Sequence, residues 1–353
     1  MEFGSHKGEI TRNMRSRAFV IGLTIFCLIM AGFFTRVDSA QRLMVGYSGI
    51  SADLSHLWIA HAAGLFKKYD VEVVPIYFSG GNRLMQALIT NDIQLGITSG
   101  MSSARAILAG ADITIVAGHI NKLTYSLYTS KEITKPEQLR GKSMAISGFG
   151  TTSHASTVLA LRKLGLNPKE VTLFQIGDQA SRFAALQANT IQGILIAPPL
   201  TLMAKKRGFN SLLDLTQSGI PWSQELVLAN ETLIKKQPAL AKNFLKGFIE
   251  GLSLWHTNKP LTTELLAKFM KIDRNTNQDA IEEAYGFIRA GTEKKPYPSM
   301  DGLKVQLDII AETDPRAKSA RPDQLVDLNI LEELDKSGFI DGLYKQGRER
   351  SGT

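Results

Sequence analysis

Cysteine is nearly absent: among 353 residues the only thiol is Cys27, which lies inside an apolar run. Past that run the chain has no disulfide, no thiolate nucleophile and no cysteine-ligated metal. Metal-spaced histidine is absent as well. His56, His61, His119, His154 and His256 form no pair with an acidic partner at ligand spacing, and His56 and His61 stand five apart, off one helical face. No Ser-His-Asp order or paired-carboxylate constellation is visible, and the turn Gly148, Phe149, Gly150 lacks the Gly-Lys-Ser/Thr ending of a nucleotide loop. No cofactor is expected. Dense charge of one sign is missing too. Lys and Arg exceed Asp and Glu by 8 over the whole chain, and by 6 without residues 1–40 (41 − 5 against 33 − 3), scattered along helices. That balance suits solubility and gives no reason to expect a nucleic-acid partner.

What is present begins with a leader. Arg12, Arg15 and Arg17 precede an uncharged apolar run from Ala18 to Phe34, and Ser39 and Ala40 follow, the layout of a signal peptide over 14–40. Export to the periplasm or another extracytoplasmic space is the expectation, with the product starting at Ala40 or Gln41. The run is almost long enough to span a membrane, so a retained N-terminal anchor is the alternative. Residues 1–13 read as an upstream start or a cloning remnant and carry no chemistry.

From Leu43 the pattern alternates short apolar strands with helices, an α/β arrangement with parallel-rich sheets. In such sheets ligands sit beyond the carboxyl ends of the strands. Three successive strand ends carry Ser48-Gly49, Ser79-Gly80 and Thr98-Ser99-Gly100. A second set of strand and helix units starts near Ser143. Its first strand runs through Ser147 and a glycine turn at Gly150 into Thr151, Thr152, Ser153 and His154, a helix start carrying consecutive hydroxyls. Such hydroxyls either cap the helix or, with the free N–H groups of its first turn, cradle a polar ligand. His119 and His154 are placed as ligand-contacting or packing residues, Tyr125 at a hinge or cleft wall, and Trp58 and Trp222 near the cleft or in the core. Pro198 breaks a strand into the next helix. Arg83 and Arg182 sit near helix starts; Arg182 is expected to cover a solvated face, so a ligand held without a guanidinium clamp is the preferred picture.

The chain crosses near 125–135 and again near 225–230 before a mostly helical end. That order divides it into a discontinuous lobe I, residues 41–129 with 230–353, and an inserted lobe II, residues 130–229.

Several stretches resemble the periplasmic substrate-binding proteins of ABC importers, in the branch for sulfonates, nitrate, taurine and thiamine precursors. They are Gly64-Leu65-Phe66-Lys67-Lys68, Gly80-Gly81 with Gln86-Ala87-Leu88, Ala109-Gly110-Ala111-Asp112, Leu139-Arg140-Gly141-Lys142, Gly150 to Ser153, Leu164-Gly165-Leu166 with Pro168, and Pro198-Pro199. The likeness runs from about residue 43 to Tyr344. It implies a two-lobed periplasmic-binding-protein fold, type II-like, with two parallel-rich sheets flanked by helices and a cleft between lobes. It also implies a monomer that takes a small polar or anionic organic molecule to an ABC permease and its ATPase. A fungal thiamine-precursor synthase shares the fold and is the enzymatic alternative; it uses Cys, which this chain lacks after its leader. A periplasmic ligand sensor is the third reading.

Overall fold

The structure, a computed structural model, describes residues 41–351; the leader expected over 1–40 lies outside them. Among the described residues no helix is long and apolar enough to cross a membrane.

β1 (Gln41–Tyr47) buries Leu43 and Val45 at period two. It pairs in parallel on both sides, with β2 (Val71–Tyr77) and β3 (Leu95–Thr98). Parallel neighbours need crossovers, supplied by α1 (Ser55–Ala62) and α2 (Gly81–Ile89). α3 (Gly100–Leu108) leads on to β4 (Ile113–Lys122). Between β3 and β4 the late strand β10 (Pro221–Asn230) inserts antiparallel to both, giving the order β2-β1-β3-β10-β4.

The second sheet repeats this plan. Its strands β5 (Ser126–Thr129), β6 (Ser143–Ile146), β7 (Thr172–Gln175), β8 (Gly193–Ile196) and β9 (Asn210–Asp214) lie in the order β7-β6-β8-β5-β9. β6 runs parallel to β7 and β8, and β5 is antiparallel to β8 and β9. Its helices are α4 (Thr152–Lys163), α5 (Gln179–Gln187) and α6 (Leu200–Lys206). In each sheet the one reversed strand is the crossing strand. The chain changes sheets at 123–125 and at 215–220, so β5 hydrogen-bonds in the second sheet and β10 in the first. Lobe boundaries drawn after 129 and after 229 put these two strands on the other side, because an apolar strand beside a crossing fits the composition of either sheet.

The helical end comprises α7 (Glu231–Lys236), α8 (Pro238–Thr257), α9 (Lys259–Met270), α10 (Gln278–Gly291), α11 (Met300–Ala311), α12 (Asn329–Lys336) and α13 (Phe339–Ser351). α8 presents Phe244 and Phe248, one turn apart, to the first sheet's core, where Phe66 stacks on Phe244 with ring centres 5.1 Å apart. Each such buried ring contributes roughly 1.5–3 kcal/mol. α11 lies directly on the backbone of β10: a Cβ on Gly302 would stand 2.4 Å from the carbonyl carbon of Trp222, so only glycine lets the helix come this close. That contact fixes β10, and β10 carries one wall of the site.

Candidate ligand-binding site

The carboxyl ends of β1, β3, β6 and β7 converge, and the helix starts that follow them surround a cavity with a gross volume of about 430 Å³. Ten residues expected from the sequence line it: Ser48, Gly49, Gly80, Thr98, Ser99, Tyr125, Ser147, Thr151, Thr152 and Ser153. The rest of the lining is Ser51, Asp53, Leu54, Gly81, Asp178, Gln179, Arg182 and Glu225.

The three hydroxyls at the start of α4 divide their work. Thr151 is the cap: its Oγ1 accepts weakly from the His154 N–H at 3.4 Å and donates to the Gly148 carbonyl at 2.6 Å. Ser153 Oγ accepts from the Ser147 N–H at 3.1 Å and so ties the helix back to the end of β6. Thr152 Oγ1 is buried without a partner. The cap of α4 is therefore Thr151, and Thr152 carries a hydroxyl with no partner in the protein.

α5 starts on the same plan, with Gly177 in the turn and Asp178 capping the Ser181 N–H at 2.8 Å. Gln179 Oε1 accepts from the Ala197 N–H at 2.7 Å. One turn in, Arg182 is 1% exposed rather than on the solvated face its spacing suggests. Its Nη1 donates to the Gly177 carbonyl and its Nη2 to the Leu195 carbonyl at 3.2 Å, while its Nε–H is buried without a partner. Burial lowers its pKa from the usual guanidinium value, and it remains charged.

Facing it are two buried carboxyls. Asp53, in the loop after β1, accepts from the Ser51 hydroxyl and from the Thr124 hydroxyl at 3.0 Å. Burial pushes it up, opposed by those hydrogen bonds and by Arg182. Glu225 on β10 is 3% exposed, and burial, helped by the charge of Asp53, holds it protonated well above the usual carboxylate range. Asp178 is the contrast: burial pushes it up, but hydrogen bonds from Tyr77 and Ser181 outweigh that and hold it low.

Several polar contacts also join the parts carrying the two sheets. The Tyr77 hydroxyl donates to Asp178, Asn82 Nδ2 donates to the Phe149 carbonyl at 3.1 Å, and Arg162 grips Glu312 through two bonds of 3.0 and 3.2 Å. Lys206 pairs with Asp279 at 2.5 Å.

The other residues singled out in the sequence lie off the cavity lining. Trp58 packs on Phe269. Ser79 stands against Gly177, next to the Tyr77 and Asp178 contact. Gly100 lets α3 approach Gln306 and the Ser223 carbonyl, and Gly150, at φ +79°, makes room for Arg105. His119 points away from the cavity into a core of His56 and Phe248. His154 accepts from the Gly150 N–H and meets Phe149 edge-on. Pro198 is buried before α6, joined to Pro199 by a cis bond, and Trp222 is fully buried beneath α11.

Two sheets of one strand order, joined by two crossings around a polar cavity, make the periplasmic-binding-protein fold. The solved aliphatic sulphonate binding protein SsuA of Escherichia coli superposes with a TM-score of 0.63 at 21% identity, covering 81% of this chain and 92% of that one. The family described as NMT1/THI5 like matches residues 51–260, and the chain belongs to it. Among curated relatives, the taurine-binding periplasmic protein of Escherichia coli is 30% identical over 180 residues, 49% of this chain and 54% of that protein. The chain thus spans about half the length of that relative. It matches the binding protein YtlA of Bacillus subtilis at 22% identity over 88% of this chain and 95% of that one.

Proposed function

We propose that the protein is the extracytoplasmic solute-binding component of an ABC import system, capturing a small organic anion of the sulfonate class between two lobes and delivering it to a membrane permease and its ATPase. Arg182 carries this reading. It is a buried, pre-positioned guanidinium whose Nε–H, with the hydroxyls of Thr98 and Thr152, has no partner within the protein. A sulfonate oxygen accepts from all three. Taurine and aliphatic sulphonates, the ligands named for two relatives, support the same class. One lobe is built on β1 to β4 with β10, the other on β5 to β9, and the crossings at 123–125 and 215–220 serve as the hinge. The leader supports a periplasmic location, and the mature chain acts as a monomer without converting its ligand.

Calorimetric titration with ethanesulfonate, nitrate and taurine, beside small-angle scattering, tests this. Binding with compaction and an unchanged ligand is expected; turnover, or no binding by any of the three, overturns it. Within the site, Thr152→Val is expected to weaken binding by up to about a hundredfold, since a hydrogen bond to a charged group contributes roughly 1.5–3 kcal/mol. Its melting temperature should hardly move. Ser153→Ala is expected to do the reverse, costing about 1 kcal/mol of stability because the Ser147 N–H loses its acceptor. Melting curves run beside the titrations separate the two.

A further inference from the structure

A second cavity runs between α3, α4 and α11, with a gross volume of about 890 Å³, and shares no lining residue with the first. Its walls are largely apolar. Val158 and Leu159 of α4 and Ile309 of α11 stand half-buried along it, beside the buried Met101 of α3, so an apolar body laid there is favoured by the side chain it covers. The charges at the groove do not balance. Among the described residues the lining carries three cations, Arg105, Arg162 and Lys169, against one carboxylate, Glu312. Arg162 already grips Glu312 through two bonds, and the neighbouring Asp314 is gripped by Arg316. Arg105 is left over. Its one hydrogen bond among the described residues runs from Nη2 to Thr313 Oγ1 at 3.3 Å, and its Nε is buried with no partner. His154 on the same wall is held neutral by burial and by the charge of Arg105. A guanidinium short of acceptors at the edge of an apolar groove suits a carboxylate that carries an apolar tail.

The groove is built from both halves of the fold. α3 and α11 belong to the part carrying the first sheet, and α4 with Pro168 and Lys169 to the part carrying the second. The stem of Arg105, on α3, lies against Gly150 in the turn that opens α4. The same two helices start at the first cavity, where Ser99 precedes one and Thr151 to Ser153 open the other. A molecule lying between their flanks therefore favours the arrangement in which their starts face a single ligand.

We propose that this groove is a second site, for a small carboxylate with a short aliphatic tail, and that its occupation strengthens capture in the first cavity. The head is bound by Arg105, and the tail lies on Val158, Leu159 and Ile309. The coupling rests on the binding role given above; the site itself does not. Coupling between two binding sites is reciprocal, so capture strengthens the carboxylate's binding by the same factor.

Titration calorimetry with hexanoate tests this, beside acetate and hexan-1-ol, which carry only the head or only the tail. Hexanoate is expected to bind about tenfold or more tighter than either. Arg105→Gln removes the partner of the head, and Val158→Glu sets a carboxylate beside the tail. Each should weaken hexanoate about tenfold or more and leave the affinity for ethanesulfonate, measured alone, unchanged. Both side chains are only half-buried, so both variants should stay folded. With hexanoate saturating, ethanesulfonate should bind about fivefold tighter or more, and hexanoate should gain the same factor under saturating ethanesulfonate. Competition between the two probes, or hexanoate affinity unchanged in both variants, puts hexanoate elsewhere and overturns the inference. Hexanoate binding no tighter than acetate overturns it as well and leaves the sulfonate-binding role standing. Independent affinities overturn the coupling. Hexanoate held through Arg105 by a protein that takes no sulfonate supports the site and overturns the binding role instead.

Discussion

Arg182→Met is expected to weaken capture of a sulfonate by about two orders of magnitude or more, the largest single loss available in the cavity. Two effects add. The variant loses a charge-assisted hydrogen bond, worth roughly 1.5–3 kcal/mol, and it leaves Asp53, Asp178 and Glu225 without the one cation in the lining. An incoming anion then meets the carboxylate of Asp178, held low by its hydrogen bonds, with no cation beside it, so the loss exceeds that of the bond alone. The guanidinium is also pre-positioned by the Gly177 and Leu195 carbonyls, so little ordering cost is recovered when it goes. Arg182→Lys separates the two effects. It keeps a charge but not the fork geometry, and an intermediate loss of about tenfold is expected. Both variants leave main-chain carbonyls without a donor, so melting temperatures should fall alongside, and titrations belong well below the lower midpoint. Affinity unchanged in Arg182→Met would remove the guanidinium from the site.

Why this residue is hidden in the sequence is instructive. The strand-end hydroxyls at Ser48, Thr98, Ser99, Thr151, Thr152 and Ser153 are legible because the strand, turn and helix start that place them are local and follow one another directly. Arg182 stands between Ser181 and Phe183 at a spacing that serves a solvated face equally well, and its burial depends on the Leu195 carbonyl, thirteen residues away on β8. Asp178 and Gln179 did carry a local signal, since Gly177 precedes them as Gly150 precedes Thr151. Glu225 had none: it follows Ser223 and Gln224 in a strand with no glycine turn or helix start beside it, and only the insertion of β10 between β3 and β4 brings it to the cavity. Trp222 and His119 fail in the opposite sense. Each is large and near a strand end in sequence, but α11 covers the first and α8 receives the second, and both helices lie far along the chain. The alternation of strands and helices read well for the same reason that the hydroxyls did. β9, a short edge strand with exposed Ser211 and Asp214, carries no apolar run to announce it.

Lowering the pH from 7 to 5 is expected to cost the folded protein about 2 kcal/mol for each of two buried histidines, His56 and His119. His56 is fully buried, with Nδ1 3.1 Å from the Asp53 carbonyl and Nε2 2.9 Å from Thr292 Oγ1, and burial pulls its pKa down to about 3. His119, 4.6 Å away ring to ring, has neither nitrogen partnered and is likewise held well below its ordinary value by burial. In the unfolded chain each takes up a proton near pH 6.5. The folded state is the proton-poor one, so this stability is complete above 6.5 and is lost as pH falls towards the folded values. Glu225 and Asp53 act in the opposite direction, because their pKa values are raised on folding and the folded state gains protons at those groups as pH drops. They offset part of the loss. His119→Phe isolates the histidine share, since a phenyl ring suits the neighbouring Phe248, whose ring centre lies 5.2 Å away. Urea midpoints at pH 7 and pH 5 should show the variant losing about 2 kcal/mol less than the wild type over that interval, with equal m-values. Parallel losses in the two proteins would mean that His119 is not the buried neutral group that its surroundings require.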